Sequence, residues 1–286
     1  MEITRDKFWL TINDHSVSGD SFDLFYNSEF DMLVTYPQPE PALLPTYYDS
    51  EDYISHTDSK RSVFEKIYHV VKNISIKSKV KLINLEAASK GNLLDIGAGT
   101  GDFLAFANSK GWNTLGIEPN DKARNIAISK GVAFKSDTKD IPDASFDVIT
   151  MWHVLEHVPD LDNQLGELRR LLKPNGTLVI AVPNFKSFDA KHYGKFWAAY
   201  DVPRHLWHFS KRSIELLGAG HGLQLRKILP MKYDAFYVSM LSEKYKTGKV
   251  NFVTAILIGL KSNLFGLRKK EYSSHIYILK YTQNGL

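Results

Sequence analysis

The sequence predicts an α/β chain with a buried, largely parallel sheet and helices on both faces. Three observations predict it. Short apolar runs alternate with amphipathic segments from residue 92 onward; the intervening helical stretches stop at glycine; and the first run leads into a glycine-rich loop.

The first 58 residues read as an irregular arm, because Asp, Ser and Tyr are frequent and Pro37, Pro39, Pro41 and Pro45 crowd one stretch. Proline lacks an amide donor and biases the residue before it away from the helix, so that stretch is extended or turning. Between residues 59 and 86 apolar side chains recur at helical spacing (Val63, Ile67, Val70, Val71, Ile74). Strands follow at 92–97, 113–118, 132–136, 146–151 and 177–182. Helices at 101–110 and 121–130 end at Gly111 and Gly131, the residue type that tolerates a left-handed stop. A further helix, 161–172, stacks Leu165, Leu168, Leu171 and Leu172 on one face before Pro174-Asn175-Gly176 turns the chain. Beyond an aromatic, His-rich stretch come a helix near 211–219, a strand near 223–231, a basic apolar segment and a strand at 275–281.

Composition narrows the functional classes. With 286 residues, 43% hydrophobic and 24% charged, the chain is an ordinary globular one. A net charge of +4 and the lack of a dense basic stripe with interleaved aromatics argue against a nucleic-acid partner. There is no cysteine, which excludes disulfides and thiolate metal sites and suits a reducing, cytoplasmic setting. MEITRDKFWLTINDH lacks the basic patch and apolar core of a secretory signal. The longest apolar run, 252–260, is far short of the ~20 residues that span a bilayer.

Leu94-Asp95-Ile96-Gly97-Ala98-Gly99-Thr100-Gly101-Asp102 carries the strongest chemical signal. A buried strand runs into glycines at alternate positions and then a helix, which lets a ligand approach the backbone and the free amides of the helix start. A dinucleotide fingerprint would place its third glycine where Asp102 stands. Asp95, a carboxylate beside the loop, suits a ligand bearing an ammonium group better than a pyrophosphate. Glu118 ends the next strand, where a carboxylate can accept both ribose hydroxyls. Asp137 and Thr138 follow the third strand within reach of an adenine, and Met151 and Trp152 follow the fourth.

LLDIGAGTGDFL, GIEPN, FDVITMWHVLEHVPD and LRRLLKPNGTLVIAVPN resemble, in order, the motifs of class I S-adenosylmethionine-dependent methyltransferases. The resemblance covers about residues 90–230. It implies a Rossmann-like seven-stranded sheet whose last strand is antiparallel. It also implies S-adenosylmethionine as methyl donor and S-adenosylhomocysteine as product. Asp95, Gly97, Gly99 and Gly101 would surround the donor's methionine part, Glu118 its ribose, and Asp137 and Thr138 its adenine, with Trp152 in the same crevice.

Methyl transfer demands alignment of acceptor, methyl and sulfur, and for a hydroxyl acceptor a base. Residues 184–210, after the fifth strand, stand where this family often inserts a substrate lid. Tyr193, Trp197, Tyr200, Arg204 and His208 are the expected acceptor contacts, and Asp201, His205 and His157 the expected acid–base groups. His153-Val154-Leu155-Glu156-His157 has the spacing of a metal motif if helical. Ubiquinone-type O-methyltransferases resemble it with ExxEH, from which His153 departs. The sequence supplies no third ligand, and no metal is expected.

FDLFYNSEFDMLVTYPQPE (22–40) followed by YYDSEDYISH (47–56) resembles the N-terminal module of bacterial methyltransferases of sugar and cell-surface polysaccharide pathways. That module often opens with a cysteine-rich zinc site. Asn27 and Phe30 stand where a CxxC pair would be. What remains, with Tyr53 and His56, is expected to cover the donor site or to pack on the sheet. The catalytic domain is then 59–286, with a lid at 184–210 and a helical insertion at 240–270. In that insertion Phe252, Ile256 and Leu260 share a helical face, with Ala255, Leu257 and Ile258 widening it. An apolar character on nearly every side predicts a buried or interface helix rather than a membrane contact, in a monomer or homodimer.

The expected function is methyl transfer to a small molecule: a sugar, a glycolipid or polysaccharide precursor, or an aromatic hydroxyl. The alternatives are an NAD-dependent oxidoreductase, opposed by the glycine spacing and Asp102, and a non-catalytic nucleoside-binding module of the same fold, opposed by the intact loop.

Overall fold

In the computed structural model, which describes residues 3–48 and 63–282, two sheets share one body. The large sheet has seven strands in the order β10-β11-β8-β7-β4-β5-β6. Its parallel part is β4 (Asn92–Ile96), β5 (Asn113–Ile117), β6 (Ala133–Lys135), β7 (Phe146–Trp152) and β8 (Leu172–Pro183). β11 (Ser274–Tyr281) inserts antiparallel between β8 and β10 (Leu223–Pro230). The predicted seven strands and antiparallel last strand are therefore present.

Helices cover both faces: α1 (Val63–Glu86), α2 (Asp102–Ser109), α3 (Asp121–Ser129), α4 (Leu161–Leu171) and α6 (Lys211–Gly220), with the short α5 (Phe188–Tyr193) between α4 and α6. Leu161, Leu165, Leu168 and Leu171 of α4 are buried against Leu94, Ile149 and Ile180 of the sheet. Val80 and Ile83 of α1 close the other face with Leu93, Leu104 and Val148. Side chains alternate across each strand, so each central strand feeds both cores. Ser210 and Ser213 form a capping box that starts α6 where the lid ends.

The N-terminal arm is not irregular. β1 (Lys7–Asn13), β2 (Ser21–Asn27) and β3 (Met32–Tyr36) form an antiparallel meander, with Phe22, Leu24 and Leu33 buried. Asp and Ser on the outward positions masked an alternation of period two. The fourth strand of this sheet is β9 (Trp207–His208), which comes from the lid and pairs with β3. Asn27, at the place of the missing metal pair, closes the β2–β3 turn instead. Its Oδ1 accepts the Phe30 amide at 2.7 Å, and its Nδ2 donates to the Thr4 carbonyl at 3.0 Å.

Two more helices lie between β10 and β11: α7 (Asp234–Thr247) and α8 (Phe252–Lys269). α8 corrects the expected face. Ala255, Ile258, Gly259, Ser262 and Gly266 point inward, whereas Phe252, Ile256, Leu257 and Leu260 are exposed. Apart from Ile258, the inward side is a strip of small residues. A Cβ on Gly259 would lie 2.6 Å from the Phe236 ring, and one on Gly266 2.5 Å from Tyr272.

Candidate active site

The part expected to hold the donor is assembled at the C-terminal ends of β4, β5 and β7. Gly97, Gly99 and Gly101 all have positive φ, which an L side chain adopts only with strain. A Cβ at Gly97 would also strike Val154, and one at Gly101 would strike Ala127, whereas Gly99 faces open space. Glu118 organises this loop. One carboxylate oxygen accepts the Gly99 amide at 2.9 Å and the other the Asn120 amide at 2.9 Å. A carboxylate has about four acceptor sites, so these bonds leave capacity for the ribose diol. Asp102 opens α2 and is paired with Lys72 and Lys130 at 2.7 Å.

Asp95 is buried at the end of β4 and accepts from Thr150 Oγ1 at 2.6 Å. Burial pushes its carboxyl up to about 7, against the pull of Thr150 and Lys79. A buried carboxyl at that value gains from a cation placed beside it. Lys79, which the sequence did not single out, lies 4.4 Å from the centre of the Trp152 ring, and its pKa is lowered by burial. The Trp152 indole N–H is buried without an acceptor among the described residues. A buried carboxyl, an unsatisfied donor and a glycine facing open space fit a zwitterionic nucleoside donor. Asp137 is an exposed side chain just past β6, its Oδ1 accepting the Lys139 amide at 3.1 Å, and Thr138 is half-buried beside it. Tyr53 and His56 lie outside the described residues.

Beyond β7 the chain enters the part expected to hold the acceptor. HVLEH is not helical: His153 has φ 58°, and only Leu155–His157 forms a single 3-10 turn. The two histidines therefore do not share a helical face. His153 instead turns to Asp234 at the start of α7, 3.0 Å away, with Glu156 at 3.3 Å on its other nitrogen. Against the cost of burial, these two carboxylates push the imidazole up to about 10, so it is cationic at neutral pH.

A cavity of about 710 Å³ opens here. Its lining brings His153, Glu156, His157, Asp201, Arg204 and His205 together with Val238, Met240, Leu241, Val250 and Phe252, and with Tyr237 and Lys244. His205 Nδ1 lies 2.9 Å from the Ala199 carbonyl and His157 Nδ1 3.0 Å from that of Arg204. A carbonyl only accepts, so each ring carries a proton on Nδ1, which in a neutral imidazole leaves the lone pair on Nε2. The Tyr48 hydroxyl oxygen, 2.9 Å from His157 Nδ1, is a second acceptor for that proton. Burial and the neighbouring His205 hold His157 down to about 4. Among the described residues, Glu156, His157 and His205 each place one ligand atom within 4.8 Å of the others. His205 is the third partner that the sequence could not supply.

Of the expected acceptor contacts, Tyr193, Trp197, Tyr200 and His208 do not line the cavity. They are buried in a second core against Ile12, Phe22, Leu24 and Leu33 of the N-terminal sheet or, for His208, hydrogen-bonded to Thr35 at 3.0 Å. Trp197 Nε1 donates to Asp189 at 2.8 Å, and Asp189 also accepts from Ser262 of α8 and Ser273 beside β11. These aromatics tie the lid to its neighbours, and Ala198 and Ala199 take the wall positions instead. Arg204 reaches the wall but spends its guanidinium inside the protein. Its donors meet Asp14 at 3.0 Å, Asp201 at 2.6 Å and the Tyr47 carbonyl at 3.1 Å.

A family model described as a methyltransferase domain matches residues 72–228. The chain belongs to the methyltransferase family. It is 34% identical over 138 residues to a ubiquinone biosynthesis O-methyltransferase of Rhodopseudomonas palustris, covering 43% of this chain and 54% of that protein. A protein of the same name from Pelagibacter ubique is 29% identical over 209 residues, covering 66% and 82%. The chain spans about half the length of most curated relatives it matches. Solved structures share the methyltransferase fold. A geranyl diphosphate C-methyltransferase from Streptomyces coelicolor aligns with a TM-score of 0.57 at 12% identity, covering 85% of this chain and 99% of that one. An Archaeoglobus fulgidus SAM-dependent methyltransferase aligns with a TM-score of 0.50 at 20% identity, covering 72% and 92%. Class I methyltransferases use S-adenosylmethionine as methyl donor.

Proposed function

We propose that this methyltransferase transfers the methyl group of S-adenosylmethionine to a hydroxyl of a small, largely apolar acceptor held in the 710 Å³ cavity. The observation that carries this reading is His205 on the wall of a largely apolar cavity, its Nδ1 held by the Ala199 carbonyl and its Nε2 left for an acceptor hydroxyl. Bound donor supplies an electrophilic methyl on a sulfonium, a good leaving group that needs no acid. The chain's residues do the rest. Asp95, Glu118 and the glycine loop hold the donor. The apolar wall seats the acceptor and excludes water. His205 takes the hydroxyl proton as the new C–O bond forms and the sulfur leaves as a thioether. Asp201 Oδ2, 3.9 Å from His205 Nε2, stabilises the imidazolium that results.

The ubiquinone-pathway relatives support an oxygen acceptor, and the apolar lining supports an aromatic or lipid-like hydroxyl over a free sugar. A second reading rests on the Glu156–His157–His205 cluster, which is compact enough to hold a divalent cation that would lower the acceptor's pKa. A metabolite extract incubated with methyl-labelled donor tests the reading. Label in an extractable, apolar methyl ether supports it, and label only in protein or nucleic acid overturns it.

A further inference from the structure

α8 is built inside out. A helix on a globular domain normally turns its large apolar side chains inward. Here the inward strip is small but for Ile258, and Ser262 on it donates to the buried Asp189 at 2.6 Å. The large apolar residues Val253, Ile256, Leu257, Leu260, Leu264 and Leu267 form one outward stripe, each between 47% and 70% exposed. Val253, Leu257, Leu260, Leu264 and Leu267 recur every three or four residues, with Ile256 beside them, which keeps the stripe on one side over the whole helix. A continuous apolar stripe of this length on a protein surface marks something that covers it.

Charge says what covers it. From residue 244 to 270 the chain carries seven Lys or Arg and no Asp or Glu. Lys261 and Arg268 lie on this helix beside the stripe, with Lys269 and Lys270 at its end and Lys249 just before it. Two copies meeting through a twofold axis would bring these like charges together, with no acid on the helix to answer them. An anionic bilayer offers the complementary surface: acyl chains for the leucines and phosphates for the cations. No described helix is long and apolar enough to cross a membrane, so the contact is interfacial. The stripe also continues into the cavity, because Phe252, the first residue of α8, is half exposed and lines its wall with Val250.

We infer that α8 lays its outward stripe on an anionic membrane surface and so turns the mouth of the acceptor cavity toward the bilayer, from which a membrane-dissolved acceptor enters. The entry of the acceptor rests on the reading of the cavity given above; the docking does not. The test is co-sedimentation with phosphatidylcholine vesicles made with and without phosphatidylglycerol. The native chain should bind the anionic vesicles and lose about tenfold or more in affinity on neutral vesicles or at high salt. The variant Leu257→Ser, Leu260→Ser, Leu264→Ser changes exposed positions only. It should keep the native melting temperature and S-adenosylhomocysteine affinity but leave the vesicles. A native chain that ignores anionic vesicles overturns the inference, as does one that forms a dimer in solution which the triple variant converts to monomer. Loss of donor binding by the native chain would instead sink the methyl-transfer reading without touching the vesicle result.

Discussion

The imidazoles of His157 and His205 meet edge to face with ring centroids 4.6 Å apart, although one ends the turn after β7 and the other belongs to the lid. Each anchors Nδ1 on a backbone carbonyl and turns Nε2 away from it. The rings differ in what surrounds them, and the assignments of base and donor ligands lead to separate expectations.

Replacing His205 with Ala should lower turnover by about two to four orders of magnitude, the usual contribution of a positioned base, with donor affinity nearly unchanged. His157, held down to about 4, is a poor base, and His157→Ala should act mainly through the position of its neighbour. Single-turnover kinetics beside calorimetry of S-adenosylhomocysteine binding check both. An equal loss of donor affinity in His205→Ala would remove it from the acceptor side.

Asp95→Ala and Glu118→Ala should each weaken donor binding by roughly 1–3 kcal/mol. The pH dependence is signed. Asp95 is raised from 3.8 to about 7 by burial, so an empty site loses stability as pH climbs through that window. A bound ammonium group favours the ionised carboxyl and offsets the loss. The rise in melting temperature given by S-adenosylhomocysteine should therefore grow from about pH 4 to pH 7, and this growth should vanish in Asp95→Asn.

Arg204→Ala should destabilise the protein by about 3–5 kcal/mol, because it leaves Asp14 and Asp201 without their cation. Burial alone would raise both carboxyls, yet Arg204 holds them below their ordinary 3.8. A depressed acid contributes stability above its ordinary value and loses it as pH falls. The gap between native and variant chains in urea unfolding should thus be full near pH 7 and shrink toward pH 3. A constant gap would mean that Arg204 acts by packing alone.

Turnover should survive exhaustive chelation if His205 acts as a simple base. Activity that returns only when a divalent ion is added back would assign Glu156, His157 and His205 as its ligands and promote the metal-assisted reading.

The strand, loop and helix start of the candidate donor site were legible because they are local: Asp95, Gly97, Gly99 and Gly101 lie within a few residues. The acceptor half was not, because its walls depend on which way side chains turn. Tyr193, Trp197 and Tyr200 look like a pocket and fill a core, while Ala198 and Ala199, chemically silent in the sequence, line the cavity. The HVLEH spacing was legible, but not the positive φ at His153 that removes it from a helix. On α8 the leucines drew attention to the wrong side, since burial there follows Gly259, Ser262 and Gly266, which permit close approach.

The pairing of β9 with β3 means that the proposed acceptor chamber is stitched from stretches far apart in the chain. The proposed donor crevice, by contrast, could be transplanted as one continuous piece. Grafting a new specificity onto this scaffold by exchanging 184–210 alone would leave β3 without its β9 partner and Asp14 without Arg204. A chimera that is to fold must carry the meander and the lid together, and drift in acceptor preference among such proteins should appear as correlated change across both.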